Sequence, residues 1–158
     1  MGGALTRRRA LAIVVSGLAA CTAKGPRYVP GSITPTGEAG LIYVYRPLGT
    51  IATRGESPFV TVGRKSHGAL KAGSFIAATV PEGDVVVTAQ QSLFMLIPTI
   101  QKSVTVTVVA GATSYVRVDQ KIVGTDFSKG VTVSQSIEIE EVSRAEGQAE
   151  LAETRQNG

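Results

Sequence analysis

One cysteine stands in a sequence setting where its thiol could do chemistry. Cys21 is the single cysteine of the 158 residues, and Leu18, Ala19 and Ala20 precede it directly. A cysteine thiolate is a good nucleophile and can take a diacylglyceryl group as a thioether. The small side chains of Ala19 and Ala20 leave the peptide bond before Cys21 open to a peptidase. Because the chain has one cysteine, an intrachain disulfide is excluded.

The residues before Cys21 have the three parts of an export signal. A basic start ends in three arginines at positions 7–9, and a largely apolar stretch of nine residues follows at 10–18. This stretch is too short for a stable membrane span, which needs about 20 apolar residues. The four residues that end at Cys21 resemble the lipobox of bacterial lipoprotein signals. We therefore expect residues 1–20 to be a signal peptide, cleaved between Ala20 and Cys21, and Cys21 to carry lipid such as palmitate.

Other interpretations of this start stay open. It is also compatible with an ordinary secretory signal that happens to contain a cysteine, or with a buried apolar segment. Residues 6–11 look like a twin-arginine export motif, although the usual aromatic residue is replaced by Ala10 and the usual lysine by Ala12. A general positive start of a secretory signal is the alternative.

The net charge of +4 suggests nucleic-acid binding only at first sight. Three of the sixteen basic residues are the arginines at 7–9, which would leave with the signal peptide. Thirteen basic and twelve acidic residues then remain. Since no basic patch with interleaved aromatic residues is left, we expect no nucleic-acid partner.

The remaining chain divides into a linker, a strand-rich domain and a tail. Residues 21–38 contain the lipidated cysteine and a Pro- and Gly-rich stretch, which we interpret as a flexible tether that reaches roughly 20–25 Å. Order in part of this stretch, with Tyr28 and Val29 packed on the domain edge, is the alternative. Apolar residues then alternate with a period of two over 39–142. For residues 143–158 we expect a short helix or tail, with Ser143 and Glu146 as a capping box.

The strand signals predict an all-β domain. Leu41–Tyr45 is apolar on both faces, as in a central strand. Further strands are predicted at 59–62, 74–80, 85–90, 104–108, 115–122 and 131–140. No segment with helical periodicity separates them, so the pattern argues against a parallel α/β sheet. We predict an antiparallel β-sandwich of seven to eight strands with a short C-terminal helix.

Several short motifs resemble those of one family of bacterial, often lipid-anchored proteins, domain of unknown function 2846. They are Leu41-Ile-Tyr-Val-Tyr-Arg-Pro47, the Gly68, Leu70, Gly73 and Phe75 pattern, Val80-Pro-x-Gly83, and Gly111-x-x-x-Tyr115-Val-Arg117. The similarity covers about residues 39–142. It implies a β-sandwich and, because the family is uncharacterised, no particular chemistry.

Candidate polar sites each have a plainer interpretation. His67 is the single histidine and lies in a turn-like segment, where a solvated side chain is expected in place of a catalytic or metal-binding one. Glu138 and Glu140 fall on the solvent face of a strand and, even with Glu141, are too few for calcium. We expect Arg46 and Arg117 to pair with acidic neighbours; contact with an anionic ligand is the alternative. We expect no metal site and no cofactor.

Five consecutive apolar residues lie between two predicted strands, where a polar connection is expected. They are Leu93, Phe94, Met95, Leu96 and Ile97, followed by Pro98, which discourages a continuous strand. One interpretation is a loop that caps the open end of the core. The other is an exposed patch that contacts a partner or the membrane surface.

These observations favour a non-catalytic envelope lipoprotein over an enzyme. We expect attachment to a membrane through lipid on Cys21 and a protein or glycan partner in the cell envelope. A small-molecule or lipid carrier with a cavity between the sheets is the alternative. Thr22 is not the aspartate that retains lipoproteins in the inner membrane of enteric bacteria, so the periplasmic face of the outer membrane is favoured in a host with two membranes.

Overall fold

The protein is described here by a computed structural model that covers residues 23–50, 53–93, 97–126, 128 and 132–158. These residues form mostly β-structure, arranged in two sheets, and one short helix. The predicted all-β class and the predicted C-terminal helix are confirmed. The elements, in chain order, are β1 (Ala39–Arg46), β2 (Phe59–Val62), β3 (Lys65–Ala69), β4 (Ser74–Pro81), β5 (Gly83–Leu93), β6 (Ile97–Val108), β7 (Thr113–Asp126), β8 (Thr132–Val142), α1 (Arg144–Leu151) and β9 (Arg155–Gln156).

The larger sheet has the order β8-β7-β1-β4-β9 and is not purely antiparallel, which corrects the prediction. β1 is antiparallel to β4 but parallel to β7, with Tyr43 opposite Tyr115. β9 is likewise parallel to β4. Parallel neighbours need a long connection, and the chain between β1 and β7 supplies one because it forms the whole second sheet.

The smaller sheet has the order β3-β2-β5-β6, with antiparallel neighbours. The segment predicted to be turn-like is in fact strand β3, and His67 lies within it. Gly63 makes this possible, because its positive φ of 59° closes the tight turn between β2 and β3. Pro98 lies inside β6, opposite Ser92. β6 is an edge strand, where a residue without an N–H is tolerated.

β1 is buried on both faces, as predicted for a central strand. Ile42 and Val44 belong to a core cluster that also contains residues of β2, β5, β6, β7 and β8. Tyr43 and Tyr45, which alternate with them, belong to a second, aromatic cluster under α1. The period-two pattern of β1 therefore serves two separate hydrophobic cores.

The described strands end at two opposite ends of the sheets. At one end Arg46 of β1 lies opposite Ser74 of β4, and Ser74 lies beside Arg155 of β9. We call this the Ser74 end. At the other end Ala39 of β1 lies opposite Pro81 of β4.

Candidate functional site

The residues predicted to be cleaved and lipidated, Ala20 and Cys21, lie outside the described residues. The description begins at Ala23, which is 7% exposed. One residue, Thr22, separates it from Cys21 in the sequence. A buried residue therefore lies two positions after the predicted lipidation site.

Part of the predicted tether is packed onto the domain, which is the alternative expected for Tyr28. Gln156 donates its backbone N–H to the Pro26 carbonyl oxygen at 2.8 Å, and Tyr28 donates to the Thr154 carbonyl oxygen at 3.3 Å. Gly25 lies so close to Gln156 that a Cβ would come 2.3 Å from its carbonyl oxygen. This first part of the tether therefore forms a strap against the C-terminal segment.

An aromatic side chain holds this strap in place. The ring of Tyr28 is buried and packs edge-on against Tyr43 and Phe75, with centroids 5.2 and 5.8 Å apart. Edge-to-face pairs of this kind contribute about 0.5–1.5 kcal/mol each beyond their buried area. The neighbouring Val29 is 57% exposed. The chain therefore meets the domain at the Ser74 end, where Arg27 pairs with Arg155.

The described β5–β6 hairpin ends within the apolar segment predicted as a contact site. Leu93 and Ile97 are its last paired residues, and we call this pair the hairpin tip; Ser92 lies opposite Pro98. Phe94, Met95 and Leu96 lie outside the described residues, as do the side chains of Leu93 and Ile97.

This hairpin tip lies toward the Ser74 end. Phe59 of β2 is opposite both Ala69 of β3 and Gln90 of β5. Asn157, which follows β9, donates its side-chain amide to the Ala69 carbonyl oxygen at 2.8 Å. β5 continues past Gln90 to Leu93. The strap and the hairpin tip thus share one end of the molecule.

Arg46 pairs with backbone carbonyls and not with an acidic side chain, so the predicted pairing is wrong. Arg46 is 2% exposed. Its guanidinium donates to the carbonyl oxygens of Thr53 and Glu56, and a longer contact of 3.5 Å joins it to the Leu70 carbonyl oxygen. Burial lowers the pKa of Arg46 to about 10, so it stays charged at neutral pH. The arginine fixes the connection between β1 and β2, a role that the sequence pattern did not reveal.

That connection borders a cleft of about 500 Å³ beside β7. Its surface is mostly apolar, and its lining includes residues with polar side chains, among them Thr50, Thr53, Asp119 and Gln120. Gln120 is 4% exposed and donates to Gln91 at 3.1 Å. No sequence pattern predicted this cleft, because its residues come from separate segments.

Arg117 pairs with acidic side chains, as predicted. Its guanidinium lies 2.5 Å from Glu140 and 2.9 Å from both Glu146 and Glu150 of α1. Hydrogen bonding to Glu140 raises the pKa of Arg117 above its ordinary value, against the effect of burial. Tyr45 donates its hydroxyl to the other oxygen of Glu150 at 2.5 Å. This network joins α1 to the large sheet.

The two remaining polar candidates are Glu138 and His67. Glu138 is exposed and pairs with Lys121, while Ile137 on the opposite face is buried. His67 lines a rim cleft of about 330 Å³ whose described lining contains no carboxylate. Burial, followed by the charge of Lys65, lowers the pKa of His67.

The described residues offer neither a cation-binding cluster nor a membrane-spanning helix. They contain no group of three or more His, Cys, Asp or Glu side chains placed to hold a metal ion. Within the same ranges, no helix has the length and apolar character to span a membrane.

Compared with protein-family models, with curated proteins and with solved structures, the chain has no match. The resemblance to domain of unknown function 2846 stays a prediction.

Proposed function

We propose that this chain is an exported bacterial lipoprotein, held on a membrane by lipid on Cys21, that acts as a non-catalytic binding or structural module of the cell envelope. The four residues that end at Cys21 support the anchoring, and Thr22 supports the periplasmic face of the outer membrane in a host with two membranes. For the domain we propose a β-sandwich, supported by the core cluster to which strands of both sheets contribute.

The observation that carries this proposal is the position of the strap. Ala23 is buried and Tyr28 packs in the aromatic cluster, so the folded unit begins almost directly after Cys21. In a lipoprotein this arrangement would hold the Ser74 end of the domain close to the bilayer. The hairpin tip, which lies in a run of five apolar residues in the sequence, would then face the membrane or a partner bound at its surface.

The carrier alternative receives less support from the core. Val44, Val60, Val87, Val106 and Val116 belong to one core cluster and are each 0% exposed. Side chains packed in this way leave little room for a guest molecule at the centre. A binding module that uses its surface is the better proposal.

Two surfaces support a partner of the envelope. The hairpin tip suits a protein, because it lies in a run of five apolar residues in the sequence and apolar clusters at a surface mark interaction sites. The cleft beside β7 suits a glycan, because its lining combines residues that can donate and accept hydrogen bonds with apolar surface, as the hydroxyls and C–H faces of a sugar require. Crosslinking and pull-down of the lipidated protein from its own envelope would separate these partners.

The anchoring is tested by the substitution Cys21→Ser in the host or in a related bacterium. We expect the variant to lose incorporation of labelled palmitate and to appear as uncleaved precursor or as soluble protein. Cys21→Ser that still incorporates palmitate would overturn the proposal. Ser74→Ala serves as the control, because it leaves the signal unchanged and should be labelled normally.

A further inference from the structure

Two arginines lie directly opposite each other at the Ser74 end. Arg27 of the strap and Arg155 of β9 pair in an isolated antiparallel bridge, so their side chains leave the backbone on the same face. Both are exposed. Like charges in this position repel each other and destabilise the pairing unless an anion lies near them.

Within the described ranges, nothing in the protein neutralises this pair. Neither arginine forms an ion pair with a described carboxylate; the ion pairs there involve Arg117 and Lys121. Arg155 instead donates to the Gly25 carbonyl oxygen at 3.5 Å, which keeps its guanidinium beside the strap.

Further cations border the pair. Lys24 is exposed and directly precedes Gly25, which packs on Gln156. Lys71 donates its ammonium group to a main-chain oxygen of Gly158 at 2.7 Å, next to the same C-terminal segment. The carboxylates of Glu38, Glu82 and Asp84 lie toward the opposite end, where the Glu82 N–H binds the Glu38 carbonyl. Glu153, two residues before Arg155, is an exposed carboxylate at the Ser74 end, so four cations outnumber it where the strap enters the fold.

We propose that Lys24, Arg27, Lys71 and Arg155 form a basic surface that binds the phosphate groups of anionic phospholipids in the membrane to which Cys21 is attached. This inference rests on the anchoring proposed above. Two observations select the headgroup layer as the occupant. The charge is complementary to anionic lipid, and the surface is continuous with Ala23, two positions from the lipidated residue. A guanidinium binds phosphate through two parallel hydrogen bonds, so Arg27 and Arg155 suit this contact.

The short connection between Cys21 and the strap would keep the basic surface within the range of the membrane's surface potential. The surface potential of an anionic leaflet falls off within about 10 Å. A domain on a long flexible tether would spend most of its time beyond that distance, whereas the strap keeps the four cations near the headgroups. The lipid then supplies attachment, and the basic surface fixes which end of the domain faces the bilayer.

The test uses the lipidated chain, in which no tryptophan is present, so that a single introduced tryptophan reports one position. Val29→Trp places the probe beside the strap, and Val109→Trp places it beyond the end of β6, away from the Ser74 end; the two valines are 57% and 60% exposed. Each protein is reconstituted in vesicles of phosphatidylcholine alone or mixed with phosphatidylglycerol. A headgroup-attached spin label quenches fluorescence near the surface.

We expect strong quenching of the probe at position 29, weak quenching at 109, and a difference that depends on phosphatidylglycerol and disappears in high salt. Arg27→Gln with Arg155→Gln should lower the ratio of docked to undocked domain about 25-fold, since each cation near the surface contributes about fivefold. Arg27→Lys with Arg155→Lys should retain most of the docking. Arg64→Gln with Lys65→Gln removes the same charge from the β2–β3 turn and should change nothing.

The outcomes separate the two proposals. Protein that fails to float with any vesicle would remove the anchoring, and this inference with it. Protein that floats but shows equal quenching at both positions, or quenching that ignores phosphatidylglycerol, would overturn the basic surface and leave the anchoring intact.

Discussion

Gly147 of α1 lies directly on the ring of Tyr115, with the position of a Cβ only 2.5 Å from Cγ of the tyrosine. Both residues are buried, and the Tyr115 ring stacks on Tyr43 at 5.9 Å. By helix propensity alone a glycine at this position costs about 0.5–1 kcal/mol relative to alanine. The close approach explains why glycine occupies it.

Gly147→Ala should therefore lower the free energy of unfolding, by about 1–3 kcal/mol, because an added methyl group in a packed contact forces the ring or the helix to move. Urea denaturation measures the change. Ala145→Gly, at an exposed position of the same helix, is the control and should lose only the propensity difference. A more stable Gly147→Ala protein would contradict the packing of α1 on Tyr115.

Arg46 predicts a second stability effect. Arg46→Met should cost about 3–5 kcal/mol, because the buried carbonyl oxygens of Thr53 and Glu56 lose their donor. The stability of Arg46→Lys should lie between that of Arg46→Met and that of the parent protein, since an ammonium group cannot reproduce the planar, forked set of donors of a guanidinium. Denaturant unfolding of both variants tests this, with exposed Arg64→Met as the matched control. Equal stability of Arg46→Met and the parent protein would show that the guanidinium does not hold this connection.

The network between α1 and the sheet predicts energetic coupling. Tyr45 and Arg117 both bind Glu150, so Tyr45→Phe and Glu150→Gln should each destabilise the protein by about 1 kcal/mol. In a double-mutant cycle the double variant should lose less stability than the two single variants together, because Glu150→Gln leaves a neutral, weaker acceptor for the hydrogen bond that Tyr45→Phe removes. Strict additivity would mean that this bond contributes nothing. Glu153→Gln, on an exposed residue after the helix, is the control.

The hairpin tip predicts a loss of binding without a loss of stability. Phe94→Ser and Leu96→Ser should keep the melting temperature and abolish crosslinks to the envelope partner. If these residues instead capped the core, each change would cost about 2–5 kcal/mol. Phe59→Ser, at a residue that is 53% exposed on β2, is the matched control and should retain the crosslinks. A collapse of stability would support the cap and refute the contact site.

His67 predicts a pH dependence of stability. Its pKa is lower in the folded protein than the ordinary value of 6.5, so the unfolded chain binds the proton more readily. The stabilising contribution of the neutral ring is thus present above pH 6.5 and is lost as the pH falls below that value. His67→Gln should reduce the slope of unfolding free energy between pH 7 and pH 5, as measured by urea denaturation. An unchanged slope would show that the ring is equally solvated in both states.

Local rules were enough to predict much of the secondary structure. A run that is apolar on both faces predicted β1, alternation predicted β8, and the Pro81 and Gly83 turn predicted the boundary between β4 and β5. Ser143 was predicted as the helix cap, and its hydroxyl accepts the Glu146 N–H at 3.3 Å. Such features depend on residues close in sequence, so the sequence contains the information directly.

Other features depended on contacts between distant segments. His67 was predicted to lie in a turn because its neighbours are polar. The turn at Gly63 instead lets the chain reverse into β3, the edge strand of the small sheet that contains His67. Tyr28 stood in a Pro- and Gly-rich stretch typical of a tether, but Tyr43 and Phe75 form a buried surface that its ring covers. The sequence by itself determined that the chain is strand-rich, has a capped helix after its last predicted strand and has a lipobox-like start. Only the tertiary structure decided that Arg46 binds carbonyls and that Arg27 lies opposite Arg155, because those pairings bring together residues from remote parts of the chain.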